Sequence, residues 1–250
     1  MIMKKKIGKS IALEWVEELN ISKSETLLDI GCGNGDTVYL LRSKGYQAIG
    51  IDVEFKEGNH TKQLIEDGYI NKISDKLDRK DIIKHNQNYQ WPVKTDSIGF
   101  CFSSSVIEHV ANLDEFAKEN KRVLKPKGLC LHYYPSKTAL LEAHTGILLG
   151  GLLQHKKYIT TYSKLFGTYK EFKNSGNKSY EYIKKYTHYK WNREIIKIFK
   201  SRGLRYMSDA SYLTAKNKDR NILRFAIKNI KVIESAFNIT RSYASLFIKD

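Results

Sequence analysis

A chain of 250 residues that is 41% hydrophobic and 12% aromatic carries enough apolar side chain for one substantial core, which excludes an intrinsically disordered protein. Its three cysteines, Cys32, Cys101 and Cys130, are too few and too scattered for a disulfide framework or a zinc site, and no apolar run approaches the roughly 20 residues of a membrane-spanning helix. The formal charge of +16 is unevenly spread: residues 1–153 hold 21 Lys+Arg against 20 Asp+Glu, whereas residues 154–205 hold 14 against 3.

In chain order, the N-terminal stretch is basic but Glu14, Glu17 and Glu18 break any apolar segment, so no signal peptide is expected and the cytoplasm is the expected compartment. Ser10 is a candidate cap for a helix in which Ile11, Trp15 and Leu19 recur at spacing four. Residues 26–30 (TLLDI) read as a buried strand, 37–44 as a helix and 47–52 (QAIGID) as a second strand. Further strands are expected at 81–85, 97–103 and 128–134, with an amphipathic helix carrying Leu113, Phe116, Ala117 and Val123 between the last two. Such alternation implies an α/β fold with a mostly parallel sheet covered by helices on both faces. Past Pro135 the pattern changes, and residues 136–188 read as an inserted cap rich in Tyr and Lys. A helix at 192–203, a strand from Leu204, a basic amphipathic segment at 220–237 and a terminal strand at 242–250 complete the chain. The expected organisation is a single domain: a core over 22–135, the cap, and the C-terminal elements over 189–250.

The stretch LLDIGCGNGDTVYLL, Leu27 to Leu41, holds the first functional signal. Glycines after a strand let backbone approach a ligand closely, at a helix start with free N–H groups. A dinucleotide loop has Gly-x-Gly-x-x-Gly. Here Gly31, Gly33 and Gly35 alternate, and Asp36 takes the sixth position, where its charge would repel a pyrophosphate. Asp29 adds a second negative charge just before the loop. Two acids suit a cationic ligand without phosphate, and S-adenosylmethionine, with its ammonium and sulfonium, meets that description. Asp52, at the end of the second strand, is placed to accept hydrogen bonds from ribose hydroxyls; that placement alone also fits NAD.

LLDIGCGNG, then GID, then WPVKTDSIGFCFSSSVIEHV, then RVLKPKG resembles the class I S-adenosylmethionine-dependent methyltransferases, in the type 11 (UbiE-like) group, over roughly residues 25–135. The resemblance implies a Rossmann-like seven-stranded sheet whose last strand is antiparallel. It also implies that Asp29, Gly31, Cys32, Gly33 and Gly35 line the methionine portion of the cofactor, that Asp52 with Val53 takes the ribose, and that Asn86, Gln87 and Ser103 complete the site. Asn86 stands where the family usually has an acid, Gly99 where it often has Asp, and Lys127 where it often has Gly.

Methyl transfer from a sulfonium needs positioning, and a hydroxyl acceptor also needs a base. Glu108 and His109 follow the fourth strand at the carboxyl edge of the sheet, and His109 is the candidate base; the alternative is that the pair orients a loop or caps a helix. Some methyltransferases of this fold bind Mg²⁺ through Glu-x-x-Glu-His plus a later His, but Ser105 stands at the first Glu position and no metal ligand is assigned. The segment EAHTGI, residues 142–147, resembles one that borders the acceptor pocket in some relatives, which makes His144, with Tyr134, a candidate substrate contact. The leading expectation is a small-molecule O-methyltransferase acting on an acidic, lipid-linked or glycan-linked acceptor. An RNA methyltransferase is supported by charge without any RNA-binding module, and nucleic acid is not the favoured partner. A non-catalytic cofactor-binding partner protein and an NAD-dependent oxidoreductase are the remaining alternatives. Peripheral membrane contact is a further option for the 220–237 segment.

Overall fold

The computed structural model describes residues 11–74, 90–172, 175–210 and 242–250. Seven strands form one sheet: β1 (Thr26–Ile30), β2 (Gln47–Asp52), β3 (Ile70–Lys72), β4 (Ile98–Ser104), β5 (Leu124–Pro135), β6 (Leu204–Asp209) and β7 (Ser242–Lys249). Their spatial order is β3-β2-β1-β4-β5-β7-β6. The pairs β1–β2, β1–β4, β2–β3 and β4–β5 are parallel, while β7 runs antiparallel to both β5 and β6. Terminal strand β7 therefore matches the antiparallel strand expected from the sequence.

Side chains alternate across the sheet and build two apolar layers. On one face Leu27, Phe100, Phe102 and Leu131 meet α1 (Ile11–Glu18), α2 (Asp36–Ser43) and α3 (Thr61–Glu66) through Trp15, Val16, Val38, Leu41 and Leu64. On the other face Leu28, Ile30, Cys101 and Phe247 meet α4 (Leu113–Val123) and α7 (Asn192–Ser201) through Phe116, Val123, Ile195 and Phe199. Helix α4 is well terminated. The Asn112 side chain accepts from the Glu115 N–H at its start, acids occupy its first turn, and Lys121 and Arg122 occupy its last. All three cysteines are free and buried.

Between β5 and α7 lies an insert containing α5 (Lys156–Phe166) and α6 (Gly176–Tyr186), which pack together around Ile147, Ile159 and Ile183. The sequence stretches expected as a third strand (81–85) and as an amphipathic helix (220–237), like Ser10, lie outside the described residues. The strand that pairs with β2 is Ile70–Lys72, in which only Ile70 is buried. Strand β5 also begins earlier than the expected 128, at Leu124, and its pairing with β4 is irregular between Ile98 and Phe100.

Lys127 has φ of 64°, the left-handed region in which a Cβ is crowded by the following carbonyl. Relief of that strain outweighs the extra freedom glycine gives the unfolded chain, so Lys127→Gly is expected to stabilise the fold by roughly 0.5–1 kcal/mol, read as a higher urea midpoint at unchanged slope.

Candidate functional site: a cofactor crevice beneath the insert

Strand order reverses between β1 and β4, and in open α/β sheets that switch opens a crevice at the carboxyl ends of the strands. The glycine loop leaves β1 on one side of it, and residues 105–109 leave β4 on the other. Gly31, Gly33 and Gly35 all have positive φ, at 77°, 58° and 78°. A Cβ on Gly31 would lie 2.4 Å from Val106 Cγ2, so the loop sits directly against the segment that follows β4. A Cβ on Gly33 would meet nothing within 4 Å, which marks the face of the loop open to a ligand.

Asp52 holds this loop in place. Its Oδ2 accepts the Gly33 N–H at 2.7 Å, and its Oδ1 accepts the Val53 N–H at 2.7 Å and the Glu54 N–H at 3.3 Å. A carboxylate offers about four acceptor directions, so acceptor capacity remains on Oδ2 for a ribose hydroxyl. Asp29 is buried, and among the described residues no hydrogen bond reaches its carboxylate. Burial, and then the neighbouring charge of Asp52, push its pKa up to about 7. Burial chiefly, then Asp29 and Asp52, raise the Cys32 thiol as well. Two acids beside an open glycine loop fit a cationic nucleoside, because a positive charge would supply what Asp29 lacks. Ser103, fully buried at the end of β4, bonds His132 Nδ1 at 2.8 Å. Asn86 and Gln87 lie outside the described residues.

The second group of residues gathers beyond β4. A 3-10 turn, Ile107–His109, carries Glu108 and His109. The backbone of the insert clamps this turn: the His188 N–H donates to the Glu108 carbonyl, and His109 Nδ1 lies 2.6 Å from the Tyr186 carbonyl. A carbonyl only accepts, so Nδ1 carries the proton and Nε2 the basic lone pair. His144 enters from the insert, its ring 4.8 Å from that of His109 and its Nε2 4.0 Å from Glu108 Oε1. Glu108, His109 and His144 thus present ligand-type atoms within 4.8 Å of one another. Both carboxyl oxygens of Glu108 are buried without a hydrogen-bond partner among the described residues. Burial raises its pKa to about 8, an effect its own backbone partly offsets and the charge of Glu142 reinforces. Glu142 is itself buried, accepting from Thr145 N–H and Oγ1–H and from the Tyr189 hydroxyl.

The structure therefore brings His109, Glu108 and His144 together, and places Tyr134 elsewhere. The Tyr134 side chain is buried in the α4–α7 layer, with its hydroxyl bonded to Asn192 Oδ1 and Ser245 Oγ. Strand alternation explains the difference, since Tyr133 and Tyr134 point to opposite faces. The anchors that fix His109 and Glu142, the Tyr186 carbonyl and the Tyr189 hydroxyl, gave no sequence signal because they lie far along the chain within a run of tyrosines.

A sheet of this order, with a glycine loop at the switch point and an acid ending β2, defines a nucleoside-cofactor-binding α/β enzyme class. A family model described as a methyltransferase domain matches residues 4–208, and the chain belongs to that family, the S-adenosylmethionine-dependent methyltransferases. Sterol 4-C-methyltransferase strm-1 of Caenorhabditis elegans is 28% identical over 131 residues, which is 52% of this chain and 37% of that protein. The chain thus matches little more than a third of that curated relative's length. Among solved structures, an S-adenosylmethionine-dependent methyltransferase from Mesorhizobium loti is similar with a TM-score of 0.56 at 10% identity, over 97% of this chain and all of the other. Phosphoethanolamine N-methyltransferase 2 of Haemonchus contortus, in complex with phosphomonomethylethanolamine and S-adenosylhomocysteine, is similar with a TM-score of 0.52 at 14% identity, over 96% of this chain and 52% of that one. At these identities the likeness is one of fold.

Proposed function

We propose that the protein is a cytoplasmic enzyme that methylates an oxygen of a small or lipid-linked acceptor. The observation that carries the reading is the placement of an open, acid-flanked glycine loop across one crevice from a basic imidazole. When bound, S-adenosylmethionine supplies an electrophilic methyl group. Asp29 and the loop backbone hold its charged amino-acid end, and Asp52 orients its ribose. Across the crevice His109 takes the acceptor's proton at Nε2, while the Tyr186 carbonyl fixes the tautomer that makes this possible. Glu108, kept neutral near pH 7 by burial, places no negative charge there to compete for the proton. The basic insert attracts acceptors that carry acidic groups.

The test is transfer of a radiolabelled methyl group from S-adenosylmethionine to candidate acceptors, with S-adenosylhomocysteine forming in equal amount. Asp52→Ala removes both the ribose acceptor and the anchor of Gly33. It is expected to weaken cofactor binding by roughly 1.5–3 kcal/mol, ten- to over a hundredfold in Kd. Unaltered binding by that variant would place the cofactor elsewhere.

A further inference from the structure

The insert carries a surface that methyl transfer does not explain. Eight of the eleven exposed large hydrophobic side chains among the described residues fall between Leu140 and Tyr169. Leu165 and Phe166 are 67% and 74% exposed, at the end of α5. The buried side of that helix is supplied by Ile159 and Ser163, so these outward residues add nothing to the core.

The exposed residues form a connected strip. Leu141 and Leu148 pair across an antiparallel bridge, and the Leu148 carbonyl accepts the Tyr158 hydroxyl. Tyr158 lines a shallow depression of about 530 Å³ together with Leu152 and Leu153. From there Tyr158, Tyr162 and Phe166 follow one another along α5 at spacing four, with ring centroids 6.1 and 5.0 Å apart. Exposed lysines flank the strip at 156, 157, 164 and 170. Residues 136–190 contain 10 Lys against 3 Glu, and one of those acids, Glu142, is buried.

Exposed apolar side chains clustered in this way mark a contact surface, and their charged border selects the partner. Aliphatic Leu165 offers nothing to a nucleic-acid base, and a second copy would bring its own lysines against these. A bilayer of anionic phospholipid answers both features. Leu, Phe and Tyr enter the boundary between headgroups and acyl chains, while lysines spread their stems over apolar surface and pair with phosphates. We infer that the β5–α7 insert docks the protein peripherally on an anionic phospholipid bilayer through the strip from Leu140 to Phe166. The same loop, residues 140–148, bears His144 on its inner side against His109, so docking sets the acceptor side of the crevice beside the membrane. That last consequence rests on the methyltransferase reading; the docking itself does not.

The full chain is mixed with sedimentable vesicles of phosphatidylcholine alone or of phosphatidylcholine with phosphatidylglycerol, and the pelleted fraction is measured. Binding to the anionic vesicles is expected to exceed that to neutral ones by tenfold or more, and Leu165→Ser with Phe166→Ser to weaken it by roughly tenfold. Both side chains are exposed, so the double variant should keep its melting temperature, and Lys156→Gln with Lys157→Gln supplies a second variant expected to weaken binding at low salt. Absence of vesicle binding would overturn the inference, as would binding that the Ser variant leaves unchanged. A dimer in sedimentation velocity that the Ser variant disperses would assign the strip to a second copy. Titration of S-adenosylmethionine into the same samples separates the two readings: retained cofactor binding without vesicle binding defeats docking alone.

Discussion

His109→Ala is expected to lower turnover on the acceptor by roughly 10²–10⁴-fold while leaving affinity for S-adenosylmethionine nearly intact. The Tyr186 carbonyl, 2.6 Å from Nδ1, can only accept, so the basic lone pair lies on Nε2. Removal of the ring deletes that base without touching the glycine loop or Asp52, so the loss belongs in kcat and not in cofactor binding. A residue that only orients the 105–109 segment would behave differently, since Gly31 packs on Val106 and a displaced segment would disturb the cofactor loop. Equal loss of turnover and of cofactor affinity would therefore reassign His109 to a structural role, and unchanged turnover on the true acceptor would exclude it as the base.

Asp29→Asn is expected to move stability and binding in opposite directions. Asp29 has a pKa raised to about 7 in the folded chain, against 3.8 for an unperturbed carboxyl. A group whose folded pKa is raised contributes stability at low pH that is lost as pH climbs from the unfolded to the folded value, here between about pH 4 and pH 7. Above that window the ligand-free protein holds a buried, uncompensated charge. The asparagine variant removes it, and should melt at a higher temperature at pH 7.5, by up to about 4 kcal/mol of unfolding free energy. A cationic cofactor favours the ionised acid, so wild-type affinity should fall by about eightfold between pH 7.5 and pH 6 as Asp29 takes up its proton. The variant should bind more weakly at pH 7.5 and lose most of this pH dependence. A variant that melts no higher and binds with the wild-type pH profile would show that Asp29 does not face the ligand.

The glycine loop and Asp52, the proposed cofactor half of the site, were legible in the sequence because their parts are local. An apolar strand, three alternating glycines and a helix start occupy fifteen consecutive residues, and Asp52 ends the neighbouring strand at β2. Each of those residues lies where the pattern puts it. The acceptor half was legible only in pieces, because tertiary contacts assemble it. His144 reaches His109 from residues 140–148, a loop without helix or strand and so without a periodic signal, and Tyr134 could not be assigned a face from its position at a strand end. Strand β3 escaped because three residues with one buried side chain carry no alternation to detect. Strand β5 was read four residues short because Pro126, which lacks a donor N–H, looks like a boundary, whereas the strand passes through it near an irregular pairing with β4.

Titration of S-adenosylmethionine into the wild-type protein near pH 7, run by calorimetry in two buffers of different ionisation enthalpy, tests the proposed cofactor site most directly. One equivalent of ligand should bind, with release of about half a proton as Asp29 ionises, and with affinity reduced in Asp52→Ala and proton release abolished in Asp29→Asn. Binding of NAD in place of S-adenosylmethionine, or cofactor binding that neither variant alters, would contradict it.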